Sequence, residues 1–399
     1  MRFIHIADLH LGMEPDKDKP WSKMRGRELW DAFADVVDEC RKSGTDLLLI
    51  AGDLFHKQPL VREVKEVSAL LASIPGTKVV MIAGNHDYIS GTSGYRDFKW
   101  PENVHFLMSD KPESVYFEDI DTEVYGFSYH VRNIYEPVYD GLKPEDPSKI
   151  NILLGHGGEP TNIPIDWKRL ERAGFDYAAM GHLHKPTDIS ERIRYAGSLE
   201  PLDKNETGQH GYIAGEIIAA KCEEKNSSDR YILRSFRVNC AKRSYIKADI
   251  EVDCDDTYGM VRRKVMSVIS SGGSQNYYVL RFSGEYDPDI SLDLDGLDDL
   301  GFIAGITDET RPKLDFDRLA AENSGNVIGM FINRIRGNDG DAGGSFRAEK
   351  SGDLDGAKQA GIRDVVSEKK QNDPDDPDKA RLIREKALYY GVMALEGKL

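Results

Sequence analysis

Five short apolar segments of this chain each end in polar side chains that can bind a metal ion. The segments are residues 3–7, 47–51, 78–83, 150–154 and 176–180, and their length and composition are typical of buried β-strands. The polar groups that follow them are Asp8-x-His10, Gly52-Asp53-x-x-His56, Gly84-Asn85-His86-Asp87, Gly155-His156 and Gly181-His182-x-His184. Because ligands of open α/β sheets gather outside the carboxyl ends of the strands, we expect the five groups to meet at one site.

Amphipathic helices separate the first three of these strands. Apolar residues recur at helical spacing in residues 28–41 and again in residues 61–74. Strands and helices that alternate with short connections predict an α/β domain whose sheet strands are buried on both faces. Further strands that extend or close the sheets are expected at residues 104–107, 114–117, 123–127, 211–218 and 230–238.

The polar groups have the composition of a site for two metal ions. Aspartate, asparagine and histidine offer oxygen and nitrogen but no sulfur, which suits Mn²⁺, Mg²⁺, Fe or Zn²⁺. Because alternate residues of a strand face the same side, His182 and His184 can reach one site. The candidate ligands exceed what one ion needs, whereas two ions that share a carboxylate would use them all; they are Asp8, His10, Asp53, Asn85, His156, His182 and His184.

Most of the groups, taken alone, also have a structural explanation. Asp8 could be a strand-end cap and His10 a surface residue, and Asp53 could cap the following helix. Residues 84–87 could be a polar turn and His156 a core histidine, whereas His182 with His184 favours a functional role. All five groups share the same position at the end of a strand, which favours one metal site over several separate explanations.

Composition and charge set wider limits. With 399 residues, 40% hydrophobic and 31% charged, the chain is expected to fold into two or three soluble domains. The net charge of −16 argues against a nucleic-acid partner, but acidic residues cluster at 287–299 and 373–378 and leave room for a basic face elsewhere. No apolar segment approaches the roughly 18 residues of a membrane span. The first strand starts at residue 3, so we expect a cytoplasmic protein without a signal peptide.

The character of the chain changes from residue 245 onward. Strands at 245–252 and 277–282 with helices at 258–270 and 327–335 predict a small α+β unit. Glycine, aspartate, serine and asparagine then dominate, which is typical of a flexible linker. A last amphipathic helix is predicted at residues 380–395. It either docks onto another protein or folds back on its own domain.

The five polar groups together resemble the signature of the calcineurin-like metallophosphoesterases, which reads D-x-H, G-D, G-N-H-[DE], G-H and G-H-x-H. Residues 4–12 (IHIADLHLG) and 51–56 (AGDLFH) resemble more particularly the SbcD-type DNA repair nucleases and their archaeal and eukaryotic double-strand-break counterparts. Residues 195–198 (YAGS) are similar to that family's pattern as well. The resemblance is strong over about residues 1–240, only architectural from 245 to 335 and weak beyond that.

The resemblance implies a fold and a domain order. We expect an α/β, two-sheet metallophosphoesterase sandwich flanked by helices at residues 1–244, followed by a small α+β capping domain that binds DNA at 245–336. A linker would occupy residues 337–379, and a helical tail at 380–399 would lie where the family binds an SMC-like ATPase of the SbcC type.

The resemblance also implies a role for each site residue. Asp53 would bridge two divalent ions, mostly Mn²⁺ in this family. One ion would be held by Asp8, His10, Asp53 and His184, and the other by Asp53, Asn85, His156 and His182. His86 would stabilise the scissile phosphate or protonate the leaving oxygen, Asp87 would orient His86, and His56 would be a further catalytic-site histidine.

A charged loop at residues 16–27 follows the first metal motif and is the candidate DNA contact. Its cations could neutralise backbone phosphates and its tryptophan could stack on a base, although a solvated loop would have the same composition. The candidate DNA-binding residues are Lys17, Lys19, Trp21, Lys23, Arg25 and Arg27. Family members form homodimers through helices after the second and third motifs. In this chain such a dimer face could be formed by Val64, Val67, Leu70 and Leu71. A helix face that packs in the domain's own core would show the same pattern.

Three functions compete at this stage. The first is a two-metal-dependent DNA nuclease in double-strand break repair, a 3′–5′ exonuclease on duplex ends and a single-strand endonuclease, working with the ATPase. The second is a metallophosphoesterase that acts on nucleotides or phosphoproteins. The third is a non-catalytic scaffold, which the complete set of ligands disfavours.

Overall fold

The computed structural model of this protein describes residues 1–220, 230–337 and 377–395, and only the backbone of residues 377–382. The described chain divides into two compact units. The first comprises residues 1–252, 257–284 and 292–309, and the second comprises 253–256, 285–291 and the described residues from 310 onward. The predicted linker lies outside the described residues except at its two ends. The domain boundaries at residues 244 and 336 stay predictions.

Fifteen strands form three sheets within the described ranges. Their bounds are β1 Arg2–Ile6, β2 Leu47–Ala51, β3 Lys78–Ile82, β4 Val104–Phe106, β5 Glu113–Phe117, β6 Thr122–Gly126, β7 Ile150–His156, β8 Tyr177–Gly181, β9 Thr187–Asp188, β10 Ile193–Tyr195, β11 Gly211–Ala219, β12 Tyr231–Asn239, β13 Tyr245–Val252, β14 Tyr277–Tyr286 and β15 Phe302–Pro312.

The α-helices of the described residues number seven. Their bounds are α1 Ser22–Ser43, α2 Val61–Ala72, α3 Trp167–Glu171, α4 Tyr258–Gly272, α5 Phe316–Glu322, α6 Val327–Arg336 and α7 Pro377–Leu395. None of these seven described helices is both long enough and apolar enough to span a membrane.

Two six-stranded mixed sheets build the large domain. The first has the order β12-β11-β1-β2-β3-β4. Strands β1 to β4 are parallel to one another, β11 is antiparallel to β1, and β12 is antiparallel to β11. The second has the order β5-β6-β7-β8-β10-β9, in which β6, β7, β8 and β10 run parallel. These sheets with their flanking helices confirm the predicted two-sheet α/β sandwich.

Successive residues of β2 face opposite sides of the first sheet and so show how the layers stack. Leu47, Leu49 and Ala51 face the second sheet and join a core with residues of β6, β7 and β8. Leu48 and Ile50 face the opposite way and pack on α1 and α2. The order of layers is therefore helices, first sheet and second sheet, and a third core covers the outer face of the second sheet.

Helix α1 begins six residues earlier than the sequence pattern predicts. The prediction of a charged loop is wrong for residues 22–27, because their many charges conceal the helical spacing and Trp21 supplies no side-chain cap at the start of the helix. On α2, the side chains of Val64, Val67 and Leu71 are fully buried in the core of their own domain, and Leu70 is half-buried against the same core. The face proposed for a dimer is therefore a core face.

The second compact unit contains α5, α6 and α7. Leu388 and Val392 of α7 pack on Ile332 of α6 and form a small apolar core. Gly391 allows close approach, since a Cβ there would meet the ring of Phe331. Of the two alternatives for the last helix, the structure thus contains the one in which it folds back on its own chain.

The approach of the two sheets at Gly181 gives a prediction for stability. A Cβ at this position would collide with the carbonyl oxygen of Ala51 and lie 3.0 Å from the Cβ of Ala7. We expect Gly181→Ala to lower the free energy of unfolding by about 1–3 kcal/mol, measured by urea denaturation of the metal-free protein. Gly76→Ala is the control, because that position has no heavy atom within 4 Å and should change stability by less than about 0.5 kcal/mol. Equal midpoints for the two variants would contradict the packing.

Candidate metal centre

The predicted ligands come from the carboxyl ends of parallel strands in both sheets. Asp8, Asp53 and Asn85 follow β1, β2 and β3 of the first sheet. His156 ends β7, and His182 directly follows β8 of the second sheet. Strands of this kind place their following loops at one edge, and here the edges of two sheets face each other. The structure therefore brings residues far apart in sequence into one cluster.

The first group of ligand atoms contains two facing imidazoles and one carboxylate. His10 Nε2 lies 3.0 Å from His184 Nε2. The ligand atoms of Asp8, His10 and His184 all lie within 4.8 Å of one another. The Asp8 carboxylate is fixed in place, since the backbone N–H of His182 donates to its two oxygens at 3.0 and 3.1 Å.

The second group is centred on an amide oxygen. Asn85 Oδ1 lies 3.0 Å from His156 Nε2 and 3.1 Å from His182 Nδ1. The Asp53 carboxylate belongs to both groups, because its Oδ2 lies 3.7 Å from His10 Nε2 and 3.4 Å from His156 Nε2. Its other oxygen accepts a hydrogen bond from the backbone N–H of His86 at 2.9 Å. Asp53 is thus positioned as a bridge.

Contacts behind three of the imidazoles decide which nitrogen faces the cluster. His156 Nδ1 donates to the carbonyl of Ala51 at 2.8 Å, and His184 Nδ1 donates to Glu206 Oε1 at 2.6 Å. His182 Nε2 donates to a carboxylate oxygen of Glu159 at 3.2 Å. The remaining nitrogen of each ring then points at oxygen and nitrogen acceptors. Acceptors that face acceptors need a proton or a metal cation between them, so the donor set fits divalent ions.

The backbone around the ligands is unusual as well. Seven non-glycine residues in the described ranges have positive φ, and four of them are predicted ligands: Asp8 (53°), His10 (47°), Asp53 (49°) and His182 (104°). This conformation costs free energy for residues with a Cβ and clusters at functional sites. The local backbone is therefore bent so that the ligand side chains converge.

Strong coupling between acids and imidazoles appears in their pKa values. Burial works to raise the pKa of Asp53, but His156 outweighs it and holds that pKa well below its usual range. Burial works to lower the pKa of His156, but Asp53 and Asp8 raise it to about 9. Burial also works to lower the pKa of His184, and the Glu206 carboxylate raises it to about 9. A metal ion at this site would therefore compete with protons for these two imidazoles.

Two further predicted residues lie beside the ligands. His86 Nδ1 donates to the carbonyl of His56 at 3.1 Å, and the two rings stack with centroids 5.4 Å apart. His56 Nδ1 lies 3.2 Å from His10 Nδ1. The His56 backbone thus orients His86, and both rings border the cluster of predicted ligands.

The prediction that Asp87 orients His86 is wrong. The Asp87 carboxylate accepts hydrogen bonds from Gly84 N at 2.8 Å, from Phe55 N at 3.2 Å and from the Tyr95 hydroxyl at 2.7 Å. It is fully buried and ties the second ligand loop to the third. Asp87 therefore braces the loops from behind, which the turn-like sequence around it does not reveal.

An open cleft of about 700 Å³ lies next to the cluster, and several basic side chains line it. Asn85, His56 and His86 line it from the site. Three exposed cations also line it, and they have no hydrogen-bond or ion-pair partner among the described residues: Lys17, Lys57 and Arg132. Of these, Lys57 and Arg132 were missed from the sequence, because single cations in loops carry no periodic signal.

Three of the six predicted DNA-binding residues make other contacts within the chain. The Arg25 guanidinium is fully buried, pairs with Glu28 at 3.2 Å and donates to the carbonyl of Pro201, so its prediction as a DNA contact is wrong. The Trp21 ring stacks on Tyr277 at 5.9 Å and is likewise not free for a base. Lys19 pairs with Asp298, whereas Lys23 and Arg27 are exposed on α1, and Lys17 alone of the six lines the cleft.

Comparison with known families agrees with this geometry. The model of the calcineurin-like phosphoesterase family matches residues 1–186, which include every predicted ligand. Residues 1–186 form a calcineurin-like phosphoesterase domain. The predicted calcineurin-like phosphoesterase domain is therefore confirmed for these residues.

Relatives of the phosphoesterase domain occur in bacteria and archaea. The uncharacterized metallophosphoesterase YhaO of Bacillus subtilis is 29% identical over 234 residues, or 53% of this chain and 56% of that protein. The DNA double-strand break repair protein Mre11 of Archaeoglobus fulgidus is 26% identical over 324 residues, covering 73% and 70%. The SbcD component of the nuclease SbcCD of Staphylococcus epidermidis is 25% identical over 257 residues, covering 52% and 64%. The chain thus spans only just over half the length of the first relative.

The raised pKa values of His156 and His184 predict how metal binding depends on pH. Below about pH 9 both imidazoles hold protons, and a metal ion must displace them to bind. We expect the Mn²⁺ affinity to rise with pH up to about 9 and metal binding at pH 7 to release protons. Titration calorimetry in buffers of different ionisation enthalpy measures both quantities, and His105→Gln, away from the cluster, is the control. Binding without proton release would contradict the coupling.

Proposed function

We propose that this protein is a two-metal-dependent DNA nuclease. The observation that carries the proposal is the pair of ligand groups that share Asp53 and open onto a basic cleft. One ion would be held by Asp8, His10, Asp53 and His184, and the other by Asp53, Asn85, His156 and His182. When bound, two divalent ions supply an activated water and stabilise the negative charge that develops on a phosphodiester.

His86 is the residue to which we assign direct contact with the substrate. Its Nδ1 is engaged by the His56 carbonyl, and its backbone N–H is engaged by Asp53 Oδ1. These two contacts fix the ring at the wall of the cleft and leave Nε2 for the substrate. In its protonated form the ring can donate a hydrogen bond to a phosphate oxygen or a proton to the leaving oxygen.

The charge of the cleft supports a polyanionic substrate. Lys17, Lys57 and Arg132 line the cleft beside the predicted ligands, with Glu14 as the one acidic residue among its described lining residues, in a chain of net charge −16. Cations at such positions neutralise the phosphates on either side of the one that is cleaved. Two of the relatives are named as a DNA double-strand break repair protein and a component of a nuclease, which supports DNA over nucleotides or phosphoproteins.

The finer features of the proposal rest on the family resemblance. We infer Mn²⁺ as the metal, 3′–5′ exonuclease activity on duplex ends, endonuclease activity on single strands, and a role in double-strand break repair. An SbcC-type SMC-like ATPase is the inferred partner, and a homodimer is the inferred assembly. The capping domain at residues 245–336 would contribute to DNA binding.

A direct assay tests the activity. The purified full chain is incubated with Mn²⁺ or with EDTA on labelled duplex DNA, single-stranded DNA and a small phosphodiester. We expect metal-dependent DNA degradation that His86→Ala slows at least about 100-fold, while the control His105→Ala keeps the rate. Turnover of the small phosphodiester without DNA cleavage under any metal would overturn DNA as the substrate.

The cations of the cleft give a second test that needs no cleavage. We expect Lys57→Ala and Arg132→Ala each to weaken duplex binding and to reduce the slope of log affinity against log salt by about 0.9. Fluorescence anisotropy in Ca²⁺ at several salt concentrations measures this slope. Lys111→Ala is the matched control, since Lys111 is exposed and does not line the cleft. Slopes that equal the control would remove these residues from the DNA path.

A further inference from the structure

Glu206 lies in the connection between β10 and β11 and belongs to none of the metal motifs. Its side chain is mostly buried, with 16% exposed, although no ion pair with lysine or arginine holds it among the described residues. Its Oε1 accepts a hydrogen bond from His184 Nδ1 at 2.6 Å. The contact is made on the side of the ring away from His10, so Glu206 does not itself face the metal cluster.

The carboxylate of Glu206 is held rigidly by its own turn. Its second oxygen accepts from the backbone N–H of Leu202 at 2.8 Å, and the backbone N–H of Glu206 donates to the carbonyl of Asp203 at 2.9 Å. The next residue, Thr207, pairs with Tyr245 at the start of β13. A carboxylate with so little freedom can fix the plane of the ring to which it is bonded.

His184 is also fixed through its backbone by the same connection. Its carbonyl accepts a hydrogen bond from the backbone N–H of Ser198 at 3.0 Å. Main chain and ring are therefore both tied to residues 198–206, and His184 Nε2 is directed at His10 Nε2. The negative charge behind the ring makes this inward nitrogen a stronger electron-pair donor.

The other two imidazoles with a contact behind them are supported more weakly. His156 relies on the neutral carbonyl of Ala51, and His182 relies on Glu159, whose carboxylate is 53% exposed at a distance of 3.2 Å. A charge in water is screened, whereas a mostly buried one is not. The three supports therefore differ in strength, and Glu206 is the strongest.

We propose that Glu206 is a positioning residue that sets the affinity of the metal ion held by Asp8, His10, Asp53 and His184. It acts through His184 and touches neither the ion nor the substrate. The inference rests on the proposed two-metal function. It predicts that Glu206, which lies outside every metal motif, affects the binding affinity of one ion more than that of the other.

The test is a Mn²⁺ titration of the full chain followed by calorimetry and by electron paramagnetic resonance. Glu206→Gln removes the charge and keeps the shape of the side chain. We expect one of the two binding steps to weaken about 10- to 100-fold, and the other to stay within about threefold. At two equivalents of Mn²⁺ the exchange-coupled spectrum should give way to the six-line spectrum of a single bound ion.

Controls separate positioning from folding. Glu191→Gln, an exposed glutamate without a ring contact, should bind both ions like the wild type. Circular dichroism of metal-free Glu206→Gln and Glu206→Ala checks that the chain is folded. Should only the alanine variant be unfolded, the glutamine variant still decides the question.

Each outcome has one meaning. Wild-type affinities in Glu206→Gln would overturn the inference while leaving the nuclease proposal intact. Equal weakening of both steps in a folded variant would indicate a general structural role and also overturn it. A wild-type chain that binds fewer than two ions would overturn the two-metal proposal together with this inference.

Discussion

The structure depends on one electrostatic constraint. Lone pairs of nitrogen and oxygen atoms face one another where the edges of the two sheets meet. His156 and His182 direct nitrogen at the amide oxygen of Asn85, and His10 directs nitrogen at His184. Such an arrangement is repulsive unless a positive charge lies within it. The protein therefore holds His156, His182 and His184 by hydrogen bonds from behind, and these bonds are as much a part of the candidate site as the predicted ligands.

The sandwich serves this constraint through its closest contacts. The two sheets approach so nearly at Gly181 that no side chain fits there, and this brings the ends of β2 and β8 together. Asp87 then ties the loops after β2 and β3 to one another from inside the core. Tight packing is rigid, so the ligand loops have few alternative positions. The large apolar core and the small polar site are two results of one packing arrangement.

Local patterns predict the strands, most helices and the ligand set, because each depends on residues close in sequence. Contacts over long sequence distances are not predictable in this way. The role of Glu206 depends on a bond to a ring 22 positions earlier, and the buried Arg25 donates to the carbonyl of Pro201, 176 positions later. The role predicted for Asp87 is wrong for the same reason, since its carboxylate accepts from the backbone N–H of Phe55, 32 positions earlier.

The four ligands with positive φ have a consequence for how such a chain can change over time. Each stores about 1–3 kcal/mol of backbone strain that glycine would relieve. Natural proteins lie only slightly above the stability that they need, so a chain without use for its metals would gain by losing these side chains. A descendant without use for metal ions would thus be expected to lose these four side chains early, with glycine as the replacement that relieves the most strain.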